Sequence, residues 1–333
     1  MHLLAEYGLF LAKTITIVIA ILLILSKIIS AKAGSKESDD ISIQKINASL
    51  TSLQKKLQNK ILDKKSLKRW TKQQKKTADQ NKDNDKTKSR LFILKFKGDM
   101  QASQVDNLRR EVTATLLCAT EQDEVLVCLE SPGGVVPSYG LAASQLARIR
   151  AAHIPLTVAV DKVAASGGYM MASVANTILA APFAIIGSIG VVAQLPNFHR
   201  LLDKNDVDFE QITAGQYKRT LSLFGKNTDE GRDKMQEEIN LAHDLFKDHI
   251  KQFRENLDID QVATGEYWYG SQALALNLID AIQTSDDYIL QQRDSVDLFL
   301  IQCKIKLPAI KKLLQQAQLT WHQLRHPSIL MKK

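Results

Sequence analysis

The sequence has few cysteines, and their positions exclude the sites that cysteine usually builds. Cys118, Cys128 and Cys303 are the three among 333 residues. There is no C-x-x-C pair and no cysteine and histidine cluster at zinc-ligand spacing. Cys118 and Cys128 lie in apolar runs, where small buried thiols are common. The sequence therefore predicts neither a disulfide framework nor a structural zinc site.

The globular part lacks the excess positive charge that is typical of nucleic-acid binders. The formal net charge is +8, but 14 Lys and Arg against 4 Asp fall between Lys55 and Arg90, which leaves about −2 for the rest of the chain. Trp70 is the one aromatic of this segment, whereas base-stacking platforms need more. We interpret it as a solvated, partly disordered linker. The alternatives are contact with anionic lipid headgroups or with nucleic acid, and we expect no nucleic-acid partner.

Charge is also scarce near the start of the chain. The apolar segment from Tyr7 to Ile29 is long enough to span a bilayer, which needs about 20 residues. The alternative is a cleaved signal peptide, because the charge-free stretch is short and an A-x-A cleavage site follows at residues 31–33. The membrane anchor is favoured, because the residues before Lys13 are mostly apolar and contain no Lys or Arg.

The orientation of this anchor follows from the lysines beside it. Lys27, Lys32 and Lys36 follow the apolar segment, so the positive-inside rule places the following domain in the cytoplasm.

Composition divides the chain into four parts. They are an N-terminal membrane anchor (1–33), a Lys-rich linker with a possible amphipathic helix (34–90), an α/β domain (91–300) and a basic tail (301–333). The linker shows no strand pattern, but its apolar residues from Ile43 to Leu57 repeat at heptad-like spacing and predict the helix.

The α/β domain is predicted from alternating strand and helix patterns. Strand patterns cover 91–96, 124–130, 155–161, 176–182 and 207–213, and helix patterns cover 104–118, 139–152 and 229–256. The stretch 178–196 is charge-free and long, but prolines and glycines interrupt it. It is therefore interpreted as strand, turn and strand in a core rather than as a second membrane span.

Ser166 is the first candidate for chemistry. It lies in the sequence ASGG, where the following glycines leave backbone N–H groups unobstructed and permit a sharp turn that exposes the hydroxyl. A nucleophile needs such exposure, and the next N–H can stabilise an oxyanion. The alternative is an ordinary helix N-cap. A second glycine loop, SPGG at 131–134, follows a predicted strand, so the two loops could converge.

A nucleophilic serine needs a base, and no histidine follows a triad pattern. His243 and His249 are interpreted as surface residues of the long helix, His153 lies in a loop, and His199 has no acidic partner nearby. A buried lysine with a lowered pKa can replace histidine. Lys218 is the best candidate, because it follows a predicted strand and a glycine-containing turn. The alternative is a plain surface lysine.

Four motifs taken together resemble the signal-peptide-peptidase family of serine proteases, and in particular its SohB branch. They are SPGG, VDKVAASGGYMMA, GSIGVV and TAGQYKR, in the order and spacing of that family. The resemblance runs from about Leu91 to Ile282. One departure is Asn277 in place of the usual glycine, and asparagine also suits a left-handed position at a helix end.

The resemblance implies a ClpP/crotonase-like α/β fold and a Ser-Lys dyad. Ser166 would be the nucleophile and Lys218 the general base, with oxyanion donors at Gly134 and Gly167 and with Ser188 orienting the lysine. It also implies a homo-oligomer, shaped as a bowl or ring, in which the dyad residues can come from neighbouring subunits. The chemistry calls for no metal, nucleotide or other cofactor.

The substrate and location are expectations from the same resemblance. Val135, Met170 and Met171 suggest small or apolar side chains at the cut, as in signal peptides and membrane-protein fragments. The family implies the bacterial inner membrane with the protease domain on the periplasmic face, against the positive-inside count. Two alternatives are an inactive scaffold and a crotonase-type acyl-thioester enzyme, whose carboxylates could only be Glu130 or Asp161.

Overall fold

The computed structural model describes residues 7–19, 22, 41–80 and 88–303. The chain divides into two units, Met1–Asp40 and Ile41–Lys333. In the first unit, helix α1 covers residues 7–19. None of the described helices has both the length and the apolarity needed to cross a membrane. Most of the predicted anchor beyond residue 19, and the tail after residue 303, lie outside the described residues.

Ten strands in the described residues of the second unit form two sheets. The strands are β1 (Ile41–Lys45), β2 (Arg90–Lys97), β3 (Glu124–Glu130), β4 (Leu156–Val160), β5 (Val163–Ala165), β6 (Thr177–Ala180), β7 (Ile185–Gly187), β8 (Tyr267–Tyr269), β9 (Ala281–Ile282) and β10 (Asp297–Cys303). The large sheet has the order β1-β10-β2-β3-β4-β6-β9 and the small sheet β5-β7-β8. All neighbours in the large sheet are parallel except β1, which pairs antiparallel with β10.

The described residues of the second unit also contain ten helices. They are α2 (Ile46–Ile61), α3 (Lys64–Gln80), α4 (Val105–Leu116), α5 (Val136–Ala151), α6 (Gly167–Ala172), α7 (His199–Lys204), α8 (Asp229–Phe253), α9 (Ile259–Val262), α10 (Gly270–Ala275) and α11 (Ser285–Gln292). The strands and helices predicted for 91–196 and the long helix α8 are confirmed, with ends that differ by a few residues.

The large sheet is covered on both faces, which explains why its central strands are almost entirely apolar. Along β2, Phe92 and Leu94 enter the larger core with residues of α4, α5, α6 and α8. Leu91 and Ile93 point to the other face, where Ile46 of α2 and residues of α11 cover them. The mixed α/β class predicted from the sequence is therefore confirmed, and helices lie on both sides of the sheet.

Ser131 joins the small sheet to the large one directly after β3. Its backbone N–H donates to the Val163 carbonyl at 2.8 Å, and its own carbonyl accepts from the Ala165 N–H at 3.0 Å. Strand β5 therefore starts beside the carboxyl end of β3, and Ser166 follows at the end of β5. The topology thus brings the SPGG loop and Ser166 to the same edge.

The turn at Asn277 agrees with the sequence analysis. Asn277 has φ +57° and follows α10, where the Leu278 N–H donates to the Ala273 carbonyl at 3.0 Å. This is the left-handed helix ending for which asparagine is the best substitute for glycine.

Two sequence expectations are wrong. Strand β1 lies at Ile41–Lys45, inside the segment for which no strand is expected. Its five residues are too few to show a clear apolar pattern, and its partner strand β10 is far along the chain. Residues 207–213, predicted as a strand, form none. Their apolar residues are exposed, with Ile212 at 94%, and no strand of the described chain pairs with them.

Glu111 of α4 is a buried carboxyl at the end of the sheet, with 5% of its surface exposed. Burial raises the pKa of Glu111 to about 7, although the Cys303 N–H donates to its Oε1 at 2.7 Å and offsets part of that effect. A carboxyl with a raised pKa destabilises the fold at neutral pH, because the unfolded chain ionises first.

We expect Glu111→Gln to be more stable than the wild type at high pH. The difference should be absent below pH 4, grow as the pH rises from about 4.5 to about 7, and level off at about 3 kcal/mol, since one pKa unit corresponds to about 1.4 kcal/mol. Urea denaturation at pH 4, 6 and 8 measures it. The exposed Glu121→Gln is the control and should show no such growth. Equal stability of Glu111→Gln and wild type at pH 8 would contradict the assignment.

Candidate active site

Ser166 occupies a strained turn between β5 and α6. Its backbone has φ +51° and ψ −120°, a region that non-glycine residues seldom adopt. Two hydrogen bonds hold it there: the Ser166 N–H donates to the Gly187 carbonyl at 2.8 Å, and its carbonyl accepts from the Met170 N–H at 2.9 Å. The side chain is half-buried. A strained, doubly anchored turn of this kind fixes the backbone from which the hydroxyl projects.

The two glycine loops are in direct contact. A Cβ on Gly133, which has φ +89°, would lie 2.8 Å from both the Gly167 nitrogen and the Ser166 Cβ. A Cβ on Gly134 would overlap the Met100 carbonyl, and one on Gly167 would overlap the Tyr139 ring. Glycine is required at Gly133 and Gly134 because neighbouring backbone lies too close for a side chain, and at Gly167 because the Tyr139 ring does. The convergence of the loops expected from the sequence is thus found.

A buried hydroxyl network fixes the first loop. The Ser131 Oγ accepts from the Gly133 N–H at 3.1 Å and lies 2.6 Å from the Tyr139 hydroxyl, which donates to the Asp99 carbonyl at 2.8 Å. Since the single proton of Tyr139 goes to Asp99, the Ser131 hydroxyl is the donor in the bond between them. Burial raises the pKa of Tyr139, which keeps it a neutral donor.

A small cavity of about 20 Å³ adjoins Ser166, and both Gly134 and Gly167 line it. Within residues 41–80 and 88–303, neither glycine N–H donates a hydrogen bond. Two unengaged N–H groups beside a serine hydroxyl can stabilise a negative oxygen that forms there. Among the described side chains there is no cluster of His, Cys, Asp and Glu that could hold a metal ion.

Ser188 and Lys218, the other two predicted site residues, lie in different parts of the structure. Ser188 follows Gly187, the residue that anchors Ser166, and has φ +51° with its N–H donating to the Glu266 carbonyl at 2.7 Å. Lys218 is exposed in the irregular segment between α7 and α8. In the part of the chain that the structure describes, no hydrogen bond joins its amine to Ser166 or Ser188. The dyad and the role of Ser188 therefore stay predictions.

The histidines of α8 are not the surface residues expected. His249 is half-buried, and its Nε2 lies 3.1 Å from the Met170 carbonyl. Burial lowers the pKa of His249, against the effect of that hydrogen bond. The His243 Nε2 is buried as well. The spacing of Phe246, His249 and Phe253 on one helix face was the signal that sequence reasoning missed.

The two methionines expected to contact the substrate, Met170 and Met171, differ in burial. Met171 is fully buried in the core and cannot contact a substrate, whereas Met170 lines the cavity beside Ser166.

Glu130 pairs with Lys97 at 3.0 Å and Lys162 at 3.2 Å, and these lysines lower its pKa. Asp161 accepts from the Ser285 N–H and hydroxyl at 2.8 and 2.6 Å. Both carboxylates are thus engaged in structural roles.

Known proteins resemble this chain over most of its length. The model of the peptidase family S49 N-terminal region matches residues 2–146, and that of peptidase family S49 matches residues 148–298. A probable protease SohB of Haemophilus influenzae is 45% identical over 328 residues, which cover 95% of this chain and 93% of the relative. That of Buchnera aphidicola subsp. Schlechtendalia chinensis is 46% identical over 312 residues, which cover 88% and 100%.

A more distant likeness is found among solved structures. A membrane-bound stomatin-specific protease in complex with a substrate peptide is 15% identical and has a TM-score of 0.43, over 69% of this chain and 98% of that one. A likeness at this level carries no argument about this chain.

We expect Gly134→Ala to destabilise the site loop, because its methyl group would overlap the Met100 carbonyl. The cost should be about 1–3 kcal/mol, as for overpacked sites, measured as a loss in the free energy of unfolding. Gly140→Ala is the control: no atom lies within 4 Å of its Cβ, and it lies within α5, so alanine should stabilise by about 0.5–1 kcal/mol. Equal effects of the two substitutions would contradict this packing.

Proposed function

The chain belongs to peptidase family S49, in its SohB branch, and from this membership and the Ser166 pocket we propose a membrane-anchored serine endopeptidase with a Ser166–Lys218 dyad. One observation carries the proposal. Ser166 sits on a strained turn, with two unengaged backbone N–H groups lining the same small cavity. We assign the domain to the ClpP/crotonase-like folds, an assignment that the parallel sheet with its small second sheet supports.

The reaction follows from these groups. The amine of Lys218 takes the proton of Ser166, and the Oγ attacks a peptide carbonyl to form a tetrahedral intermediate. The N–H groups of Gly134 and Gly167 stabilise its oxyanion, each donor contributing about 3–4 kcal/mol. Lys218 returns the proton to the leaving amine. Water, deprotonated by Lys218, then hydrolyses the acyl-enzyme and releases Ser166.

A neighbouring copy supplies Lys218 in this proposal. Lys218 lies in an exposed segment whose apolar residues are uncovered, among them Val207, Phe209 and Ile212 with 50%, 43% and 94% exposure. Apolar surface on this scale marks a protein interface. A closed homo-oligomer, a bowl or ring, covers such a surface when each copy contacts the next. Ser188 directly follows Gly187, whose carbonyl accepts from the Ser166 N–H. In the assembly, its hydroxyl accepts a hydrogen bond from the Lys218 amine of the neighbouring copy.

The substrates we propose are signal peptides, membrane-derived peptides and unfolded proteins. An extended peptide can pair as an added strand, and such pairing is independent of sequence except at individual side-chain pockets. The acyl-thioester alternative loses support, because the carboxylates of Glu130 and Asp161 are held by Lys97, Lys162 and Ser285. The reaction as proposed calls for no cofactor.

The membrane anchor is proposed from the sequence between Tyr7 and Ile29, which is apolar for long enough to span a bilayer. The Lys-rich helices α2 and α3 follow it, and lysines near a membrane are attracted to anionic headgroups. We place the chain in the bacterial inner membrane with the protease domain in the periplasm, as the family resemblance implies.

We expect Ser166→Ala and Lys218→Ala each to lower the hydrolysis of casein and signal peptides by about a thousandfold or more. When both variants are co-expressed and purified in detergent as mixed assemblies, activity should return in part, because the Lys218 of one copy meets the Ser166 of another. Lys226→Ala is the control, an exposed lysine of the same segment, and should keep full activity.

Three outcomes of this experiment are distinguishable. Full activity of Lys218→Ala would reject Lys218 as the base and make His199 the next candidate. Loss in both variants without recovery on mixing would place the dyad within one copy. A folded, assembled wild type that cleaves nothing and does not react with a fluorophosphonate at Ser166 would favour the inactive scaffold.

We expect the full chain to stay with the membrane after alkaline carbonate extraction, because an apolar span resists a treatment that removes surface-bound proteins. A reporter fused after residue 90 should be active only in the periplasm. Deletion of residues 1–33 is the matched control and should release the protein. Activity of the reporter in the cytoplasm alone would reverse the proposed orientation.

A further inference from the structure

A side chain of the long helix α8 is connected to the backbone of Ser166 through a single residue, Met170. The Ser166 carbonyl accepts from the Met170 N–H at 2.9 Å, and the Nε2 of His249 lies 3.1 Å from the Met170 carbonyl. His249 lies 79 positions beyond Met170 in the chain and outside the four motifs that identified the site. The reaction as proposed assigns it no step.

We propose that His249 is a positioning residue, which donates a hydrogen bond from Nε2 to the Met170 carbonyl and thereby holds Ser166 and the Gly167 N–H in their reactive geometry. This inference rests on the proposed function, because it gives the residue a role in that reaction. His249 transfers no proton to the substrate. It acts through α6, the helix that begins with Gly167 directly after the nucleophile.

The chemistry of the contact assigns the donor. A backbone carbonyl can only accept a hydrogen bond, so the proton lies on Nε2 of His249. Burial lowers the pKa of His249, against the effect of this hydrogen bond, and favours the neutral ring. The ring of Phe253 meets that of His249 edge-on, with the ring centroids 5.3 Å apart. The imidazole is therefore packed on its own helix and bonded to the next one.

Helix α6 needs such a contact because it is short. It has six residues, and a helix of this length is not stable without tertiary contacts. The last four carbonyls of a helix have no partner inside it, and that of Met170 is one of them. It accepts from the Ser173 hydroxyl at 3.0 Å as well as from His249. Ser173 is the C-cap of α6 itself, so only the bond from His249 ties this carbonyl to another helix.

The test separates the hydrogen bond from the packing of the ring. In His249→Leu the side chain still fills space but has no donor. In His249→Gln the amide nitrogen is as many bonds from Cα as the histidine Nε2, so it can donate to Met170. For signal-peptide cleavage we expect His249→Leu to lower kcat about tenfold to a hundredfold, because a small displacement of a catalytic group costs rate, while KM stays within about threefold. His249→Gln should keep kcat within about threefold of the wild type.

His243 provides the matched control on the same helix. It is half-buried like His249, but its buried Nε2 has no hydrogen-bond partner among the described residues. His243→Leu is therefore the same substitution without the loss of a hydrogen bond to α6, and it should leave kcat and KM unchanged. Urea denaturation and the assembly size of each full-length variant in detergent show that folded proteins are compared.

A second measurement does not depend on activity. Hydrogen–deuterium exchange of the peptide that contains residues 166–172, followed by mass spectrometry, reports on the Met170 N–H that donates to Ser166. Exchange should be about twofold to tenfold faster in His249→Leu, the range expected for one lost hydrogen bond. It should match the wild type in His249→Gln and in His243→Leu.

The outcomes distinguish this inference from the proposed function. The positioning role is overturned if His249→Leu keeps the wild-type kcat or the wild-type exchange, or if His249→Gln loses as much as His249→Leu. It is also overturned if His243→Leu shows the same losses, because the contact with Met170 would then not be the cause. If the wild type cleaves nothing while exchange rises in His249→Leu alone, the contact holds the Ser166 turn as inferred and the proposed catalysis fails.

Discussion

The geometry of the site depends on the buried hydrogen bonds of one residue, Ser131. Its backbone joins the end of β3 to both ends of β5, and its side chain holds Gly133 and Tyr139. Gly98 must lack a side chain, because a Cβ there would overlap the Ser131 and Tyr139 hydroxyl oxygens. Buried polar groups are costly unless every one is paired. This network is fully paired, and it therefore allows a single arrangement of the two glycine loops around Ser166.

The serine half of the site could be predicted from sequence because its signals are local. Glycines beside Ser166 and in residues 131–134 indicate close backbone approach, and the apolar runs before them indicate buried strands. The structure has both loops at the carboxyl end of β3, as strand order predicts. The same local reasoning fails for residues 207–213, whose alternating pattern resembles a strand but finds no partner strand in the described chain. A strand pattern states what a segment could pair with, not whether a partner is present.

The contribution of α8 could not be predicted, because it depends on contacts between residues far apart in the chain. Met170 and His249 are 79 positions apart, and no motif connects them. The sequence predicts the helix correctly, yet the charged neighbours of its histidines wrongly indicate surface positions. The better signal was the three- and four-residue spacing of Phe246, His249, Ile250 and Phe253, since residues at such spacing share the buried face. A charged neighbour on a helix lies on a different face and says little about burial.

The pairing of β1 with β10 has a topological consequence. Ile41 faces Cys303 across an antiparallel ladder, so the first and last described strands of this unit form an open hairpin that lacks only its turn. A short turn between residues 303 and 41 would close the backbone into a ring while preserving every strand pair. The unit is therefore suited to circular permutation, with new ends at an exposed loop such as the one after α7. Its fold is set by which strands are neighbours, rather than by where the chain starts.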